Sequence, residues 1–229
     1  MSGVTKGVLA QCALVAGMLL ALTAPVAADD RAEAQGLVDG ATATVRNFVR
    51  DPDMTWFQDN AAKAKGLLVV PQMIKGGFIL GGSGGSGVLV ASGDGPAGWS
   101  QPAFYTVGSV TFGLQIGGEV SELILIVMTQ KGMDALLSNS FKLGADVSVA
   151  AGPTGAGAKA QVADVIAFSR SKGVYGGISL EGAVIALRND WNDAYYGRSV
   201  RPLEILVTRE VSNQGSSELR GVLAQLGAR

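Results

Sequence analysis

Apolar residues recur at helical spacing from Ala34 to Val49: Ala34, Leu37, Val38, Ala41, Val45, Phe48 and Val49. Arg31, Asp39, Arg46, Asn47 and Arg50 occupy the opposite side. The spacing predicts an amphipathic helix over about 31–50. Pro52 disfavours helical backbone at Asp51 and ends it. Asp53 is expected to cap a second short helix running through Trp56 and Phe57 to about Lys63. From Lys65 the period changes. "GLLVVP" reads as a short apolar strand ended by Pro71. Tyr105 to Gly118 alternates, with Val110, Phe112, Leu114 and Ile116 on one side and Ser109, Thr111 and Gln115 on the other. "ELILIVMT" (122–129) is continuously apolar, which predicts a central strand covered on both faces. "GMDALLSNS" reads as a short helix. Strands are expected again over Leu143 to Ala151, over "AKAQVADVIAFSRS" after a "GPTG" turn, and in "VYGGISLEGAVIAL". "NDWNDAYYG" reads as a capped helical turn, and 216–226 as a terminal helix.

The segment "KGGFILGGSGGSGVLVASGDG" (75–95) admits three readings. A dinucleotide loop needs its last glycine to open a helix, yet Gly87 opens the strand-like "VLVAS". A Gly-x-Ser-x-Gly nucleophile elbow at Ser83 also needs a following helix and a His elsewhere. A flexible linker would have polar flanks, whereas these are "FIL" and "VLV". What remains is two strands, about 76–82 and 86–92, joined or bent at the glycines. The pattern as a whole predicts one α+β domain: a strongly bent, barrel-like antiparallel sheet over about 65–188. N-terminal helices (about 31–64) and C-terminal helices (about 189–229) flank it.

Composition narrows the chemistry. There is no His in the 229 residues, which removes Ser-His-Asp and Cys-His nucleophile systems and the commonest general base. No cofactor is expected. The 18 basic and 19 acidic residues nearly cancel, which disfavours nucleic acid as a partner. Lys6, the apolar run Val8 to Leu22, and Val26 and Ala28 before Asp29 form the pattern of a signal peptide over 1–28. Export to the periplasm or cell surface is therefore expected, an uncleaved anchor being the alternative. Cys12 would leave with the signal, so a mature domain over 29–229 would carry no Cys.

Several ordered blocks resemble the SYLF domain family: "AKGLLVVPQMIKGGFILGGSGGSGVLV", "GWSQPAFYTVGSVTFGLQIGGEVSELILIVM", "FKLGADVSVAAGPTG", "FSRSKGVYGGISLEGAVI" and "YYG". They cover about 63–197. The resemblance implies a lipid-binding domain. Eukaryotic members bind phosphoinositides through basic and amphipathic surfaces, and yeast endocytic relatives also bind actin. A membrane-surface site needs Lys or Arg beside apolar residues. Three candidates follow: Lys63, Lys65 and Lys75 near the start of the sheet; Lys142, Arg170 and Lys172, with Ser169 and Ser171 as extra donors; and the first helix, with Arg31, Arg46 and Arg50 beside its apolar stripe. The bland alternatives are solvated strand-end charges and a stripe packed on the sheet. Glu119, Asp146, Asp164 and Glu181 keep a carboxylate hydrolase or metal site in view, against structural roles at strand ends. An aromatic content of 6% argues against an outer-membrane barrel. The leading expectation is an exported, non-enzymatic module docking on anionic phospholipid or a membrane surface. An envelope scaffold or protein-interaction module stands second.

Overall fold

The computed structural model describes residues 24–77, 80–93, 98–112, 117–152, 163–171, 174–176 and 180–226. The first helix, α1, spans Ala24–Arg50, seven residues longer at its start than the periodicity predicts. Ala34, Val38, Ala41, Val45 and Phe48 form its fully buried stripe. The second helical stretch is broken into a 3-10 turn Pro52–Met54, helix α2 (Thr55–Asn60) and a second 3-10 turn Ala61–Lys63. Its cap is Asp51, whose side chain accepts from the Asp53 backbone N–H, rather than Asp53 itself.

Among the described residues nine strands follow: β1 (Gly66–Gly77), β2 (Leu80–Ala91), β3 (Ala103–Phe112), β4 (Gly117–Val127), β5 (Ser140–Lys142), β6 (Val149–Ala151), β7 (Val165–Ser171), β8 (Val174–Gly176) and β9 (Val184–Leu187). The sheet order is β5-β9-β3-β2-β1-β4-β7-β6, with β8 beside β7. Every pairing is antiparallel except β6 with β7. The path curls into a half-barrel, and the short turn from Lys142 to Val149 links its two edge strands. The expected bent α+β sheet is thus the observed fold.

Three local expectations are corrected. β1 does not end at Pro71. It passes through a bulge between Val69 and Ile74 and runs on to Gly77, so the proline sits where the ladder is already interrupted. In place of the expected strands over 76–82 and 86–92, Lys75–Gly77 close β1 and Leu80–Ala91 is one continuous strand, β2. Gly85 makes this possible, because a Cβ there would overlap the Gln72 carbonyl oxygen of the bulge. Leu143 to Val147 is a turn closed by an isolated bridge, with short strands on either side, in place of one strand. The expected "GPTG" turn lies outside the described residues.

Central strands bury both faces, as the apolar run of β4 predicts. Ile124 and Ile126 join an outer core with Leu67, Val69, Val88, Val90, Phe104 and Phe168. Leu123, Leu125 and Val127 join an inner core with Leu68, Leu89, Tyr105 and Ile185. α1, α2, α4 (Asn189–Tyr196) and α6 (Ser217–Ala224) contribute buried residues to the outer core. Aromatic rings lock that layer: Phe48 with Phe57 at 5.6 Å, Phe57 with Phe168 at 5.9 Å, and Phe104 with Tyr195 at 5.0 Å between centroids. Such edge-to-face pairs add specificity to area burial. α3 (Gln130–Leu136) and α5 (Pro202–Leu206) close the inner core, where the Tyr105 hydroxyl donates to the Leu136 carbonyl at 2.5 Å. Burial pushes the Tyr105 phenol well above its ordinary range.

Candidate functional site

The helical layer covers only part of the outer face. α1 lies across the strands. Its Thr44 hydroxyl donates to Glu122 on β4 at 3.0 Å, and a Cβ on Gly40 would stand 3.2 Å from the Pro71 ring on β1. On its open side a trench of about 810 Å³ runs between the helix and the sheet. Gly36, Leu37, Gly40, Ala43 and Thr44 form the helical wall. Gly84, Gly85 and Ser86 of β2, with Thr106 and Ile74, form the floor. The glycines are what leave this space open: a Cβ built on Gly36 meets nothing within 4 Å. The outer face also carries exposed aliphatic side chains, Ile74 on the trench floor at 58%, and Val110 at 69% and Val120 at 50% relative exposure past it.

Each end of the trench is fixed by a charged group. Arg188 stacks on the Trp191 ring at 3.6 Å. It also donates to the Ser86 hydroxyl at 3.3 Å and to Asp190 at 3.1 Å. Burial opposes the ionised form of Asp190, yet hydrogen bonds from Arg188 and the backbone, with the arginine's charge, hold its carboxyl below the usual range. Trp191 is 7% exposed, and its buried Nε1 finds no hydrogen-bond partner among the described residues. At the other end Glu122 accepts from Thr44, from Asn47 at 3.0 Å and from Arg170 at 3.1 Å. Two of these bonds pin α1 to β4, and the third ties β7 to the same carboxylate.

The basic residues proposed from sequence are dispersed. Lys63 is exposed and donates to Asn60 at 3.3 Å. Lys65 precedes β1, and Lys75 lies ten residues along the same strand, about 30 Å away at ~3.3 Å per residue. Lys75 stands directly across from Glu119. Lys142 ends β5, where its backbone N–H donates to Asp146 at 2.7 Å. Arg170 is bound to Glu122. Lys172 lies outside the described residues. On α1, Arg46 pairs with Glu218 at 2.5 Å, and the apolar stripe packs on the sheet and C-terminal helices, which is the bland alternative for that helix.

Two of the four candidate carboxylates, Asp146 and Asp164, accept local hydrogen bonds. Asp164 accepts from the Thr129 hydroxyl at 2.7 Å and from the Ser148 backbone N–H at 2.9 Å and hydroxyl at 2.8 Å. Those bonds, Thr129 first, hold its carboxyl far below the usual range, with Lys131 at 3.5 Å adding a smaller pull. Asp146 closes the turn after β5, Glu119 faces Lys75, and Glu181 sits in the turn against Gly144. Among the described residues no cluster of three metal-binding side chains occurs, and no helix is long and apolar enough to cross a membrane. Sequence reasoning missed Arg188, Trp191 and Glu122. The signal available was an Arg three residues before a Trp at a helix start, and a Glu set directly before the apolar run of β4.

Comparison with known proteins gives a consistent result. Residues 108–226 match a family described as "Las17-binding protein actin regulator". "SH3 domain-containing YSC84-like protein 1" of Homo sapiens is 35% identical over 152 residues, covering 63% of this chain and 44% of that protein. "LAS seventeen-binding protein 3" of Saccharomyces cerevisiae is 36% identical over 172 residues, covering 71% of this chain and 37% of that protein. The chain therefore spans less than half the length of these relatives.

Proposed function

The chain belongs to the Ysc84 family, the SYLF-domain family its glycine-rich blocks resemble, and on that premise we propose a non-enzymatic docking module that binds a protein segment. Its working surface is the α1 trench with the open sheet face beyond it. One observation carries the reading: a solvent-open trench with a glycine floor, and an Arg188–Trp191 stack at its end. Tryptophan and arginine are the side chains that most often anchor protein interfaces. The name of the yeast relative, a Las17-binding protein, supports a protein partner. Two of the carboxylates weighed for catalysis, Asp146 and Asp164, are engaged in local turns, which supports a binding rather than a chemical role. The test is a photo-crosslinking residue at Gly36, in the trench, against one at Glu181, on an exposed turn. A discrete protein adduct from position 36 alone supports the reading. Equal or absent adducts reject it.

A second reading is docking of an exported protein on anionic phospholipid. The exposed aliphatics Ile74, Val110 and Val120 on one face favour it, and the N-terminal pattern supports export. In this reading Lys63, Lys65, Lys75, Lys142, Arg170 and Lys172 supply the headgroup contacts. Because they are dispersed, the expected binding is shallow and strongly salt-dependent. Vesicle flotation with and without anionic lipid checks it, and no lipid-dependent flotation would remove it.

A further inference from the structure

Past the β1 bulge the four long strands divide polar from apolar residues between their two faces. Glu119, Lys75, Ser83 and Ser109 stand in one row across β4, β1, β2 and β3 on the inner side. The two serine hydroxyls in that row meet at 2.7 Å. The neighbouring residues along each strand face outward. Their rows are Val120, Ile74, Gly84 and Gly108, then Gly118, Gly76, Gly82 and Val110. The outer side thus carries three aliphatics, each half or more exposed, on a glycine floor without charge. A sheet with one wet face normally turns its polar side to solvent and its apolar side to a packed layer. Here the apolar side is the open one, which marks a surface that a partner covers.

We propose that an amphipathic α-helix of a partner protein covers it, lying in the trench antiparallel to α1. The inference rests on the reading of the trench as the docking surface and specifies the form of its occupant. β1 and β2 are paired on both sides through these rows, so the floor offers no free backbone groups to an added strand. An extended segment beside α1 would turn one row of its N–H and C=O groups toward Gly36, Gly40 and Ala43, whose own backbone lies within the helix. A helix bonds its own backbone and leaves nothing unsatisfied there. The dimensions agree. Ser86 to Gly82 spans about 13 Å of strand at ~3.3 Å per residue, and a helix is ~10 Å across. Gly36, Gly40 and Ala43 recur at intervals of four and three along α1, and side chains this small let a second helix axis approach to ~8 Å.

Charge sets the orientation. Arg188 and Glu122 are each paired, with Asp190 and Arg170. Glu33 lines the trench at the start of its helical wall, is exposed, and has no ion pair among the described residues. An antiparallel occupant sets its last turn beside Glu33. A Lys or Arg there pairs with the carboxylate and suits the dipole of its own helix.

The test places p-benzoylphenylalanine at Gly36 or at Ala43 of the full chain, in the cell that produces it, and maps the attached residues by mass spectrometry. Both positions are exposed on α1, about 10 Å apart at ~1.5 Å per residue. The expected attachment sites lie in one partner segment, about seven residues apart and in reverse order. Glu33→Lys is expected to lower both yields at least about threefold, and Asp39→Lys, outside the trench, to leave them unchanged. Sites about three residues apart indicate an extended segment and overturn the helix, leaving the trench reading intact. Sites in the same order or in several segments, an adduct with lipid or with a second copy, or yields indifferent to Glu33→Lys also overturn it. No protein adduct from either position removes the trench reading along with the inference. Should the lysine variant not fold, the spacing and order of the sites decide.

Discussion

The two halves of the outer sheet face are built from the same four strands and treated oppositely. Near Leu67, Val88, Phe104 and Ile126 the strands carry large apolar side chains and lie under helices. Past the β1 bulge the same strands carry Gly76, Gly82, Gly84, Gly108 and Gly118, and Ile74, Val110 and Val120 are half or more exposed among the described residues. Stability resides in the first half, where area is buried. The second half retains backbone pairing but little burial, which leaves it available to a partner. A fold can thus reserve a surface by changing side-chain size along a strand without changing its backbone.

The largest test of this division is truncation of the aromatic cluster. Phe168 is 1% exposed and touches Trp56 and Phe57, so Phe168→Ala is expected to cost about 3–5 kcal/mol in denaturant unfolding. Val120→Ala, in the open half, is expected to stay within about 0.5 kcal/mol. Similar losses at both sites would break the comparison. Two glycines sharpen it. Gly85→Ala forces a Cβ into the Gln72 carbonyl oxygen and should cost about 1–3 kcal/mol. Gly36→Ala sits in open space on a helix and should stabilise by up to about 1 kcal/mol. Glu122→Ala removes the two bonds that hold α1 on the sheet, with a third from Arg170 on β7, and should cost about 1–2 kcal/mol. It should also loosen the trench, seen as faster amide exchange in α1.

The smallest expected effect is on pH dependence. The Asp164 carboxyl is held below its unfolded range, so the ionised form is favoured by folding. Its contribution is complete above the unfolded value of ~3.9 and is lost as pH falls through and below that value. Asp164→Asn should flatten the decline of stability below about pH 4 without changing the slope near neutrality. An unchanged acid slope would contradict the role of the Thr129 and Ser148 bonds.

Much of the fold was legible because its signals are local. The α1 stripe, the double-sided burial of β4 and the failure of the glycine segment to open a helix follow from spacing alone. Pro71 misled because a bulge, set by pairing with both neighbours, absorbed it. Leu143 to Val147 misled because alternation does not distinguish a strand from a tight turn with two buried residues. The candidate site was less legible. Lys65 and Lys75 are close in sequence, but an extended strand separates them. Arg188, Gly36 and Ser86 are far apart in sequence, and only the crossing of α1 over the sheet brings them to one trench.

The most direct measurement compares the wild-type chain with Gly36→Trp, isolated from the cell that produces it. Nothing stands within 4 Å of a Cβ at that position, so the indole has room to enter the trench without displacing the core. The expected result is an unchanged melting temperature, with a protein partner that co-purifies with the wild-type chain and not with Gly36→Trp. A partner retained in full by a folded Gly36→Trp chain would contradict the account.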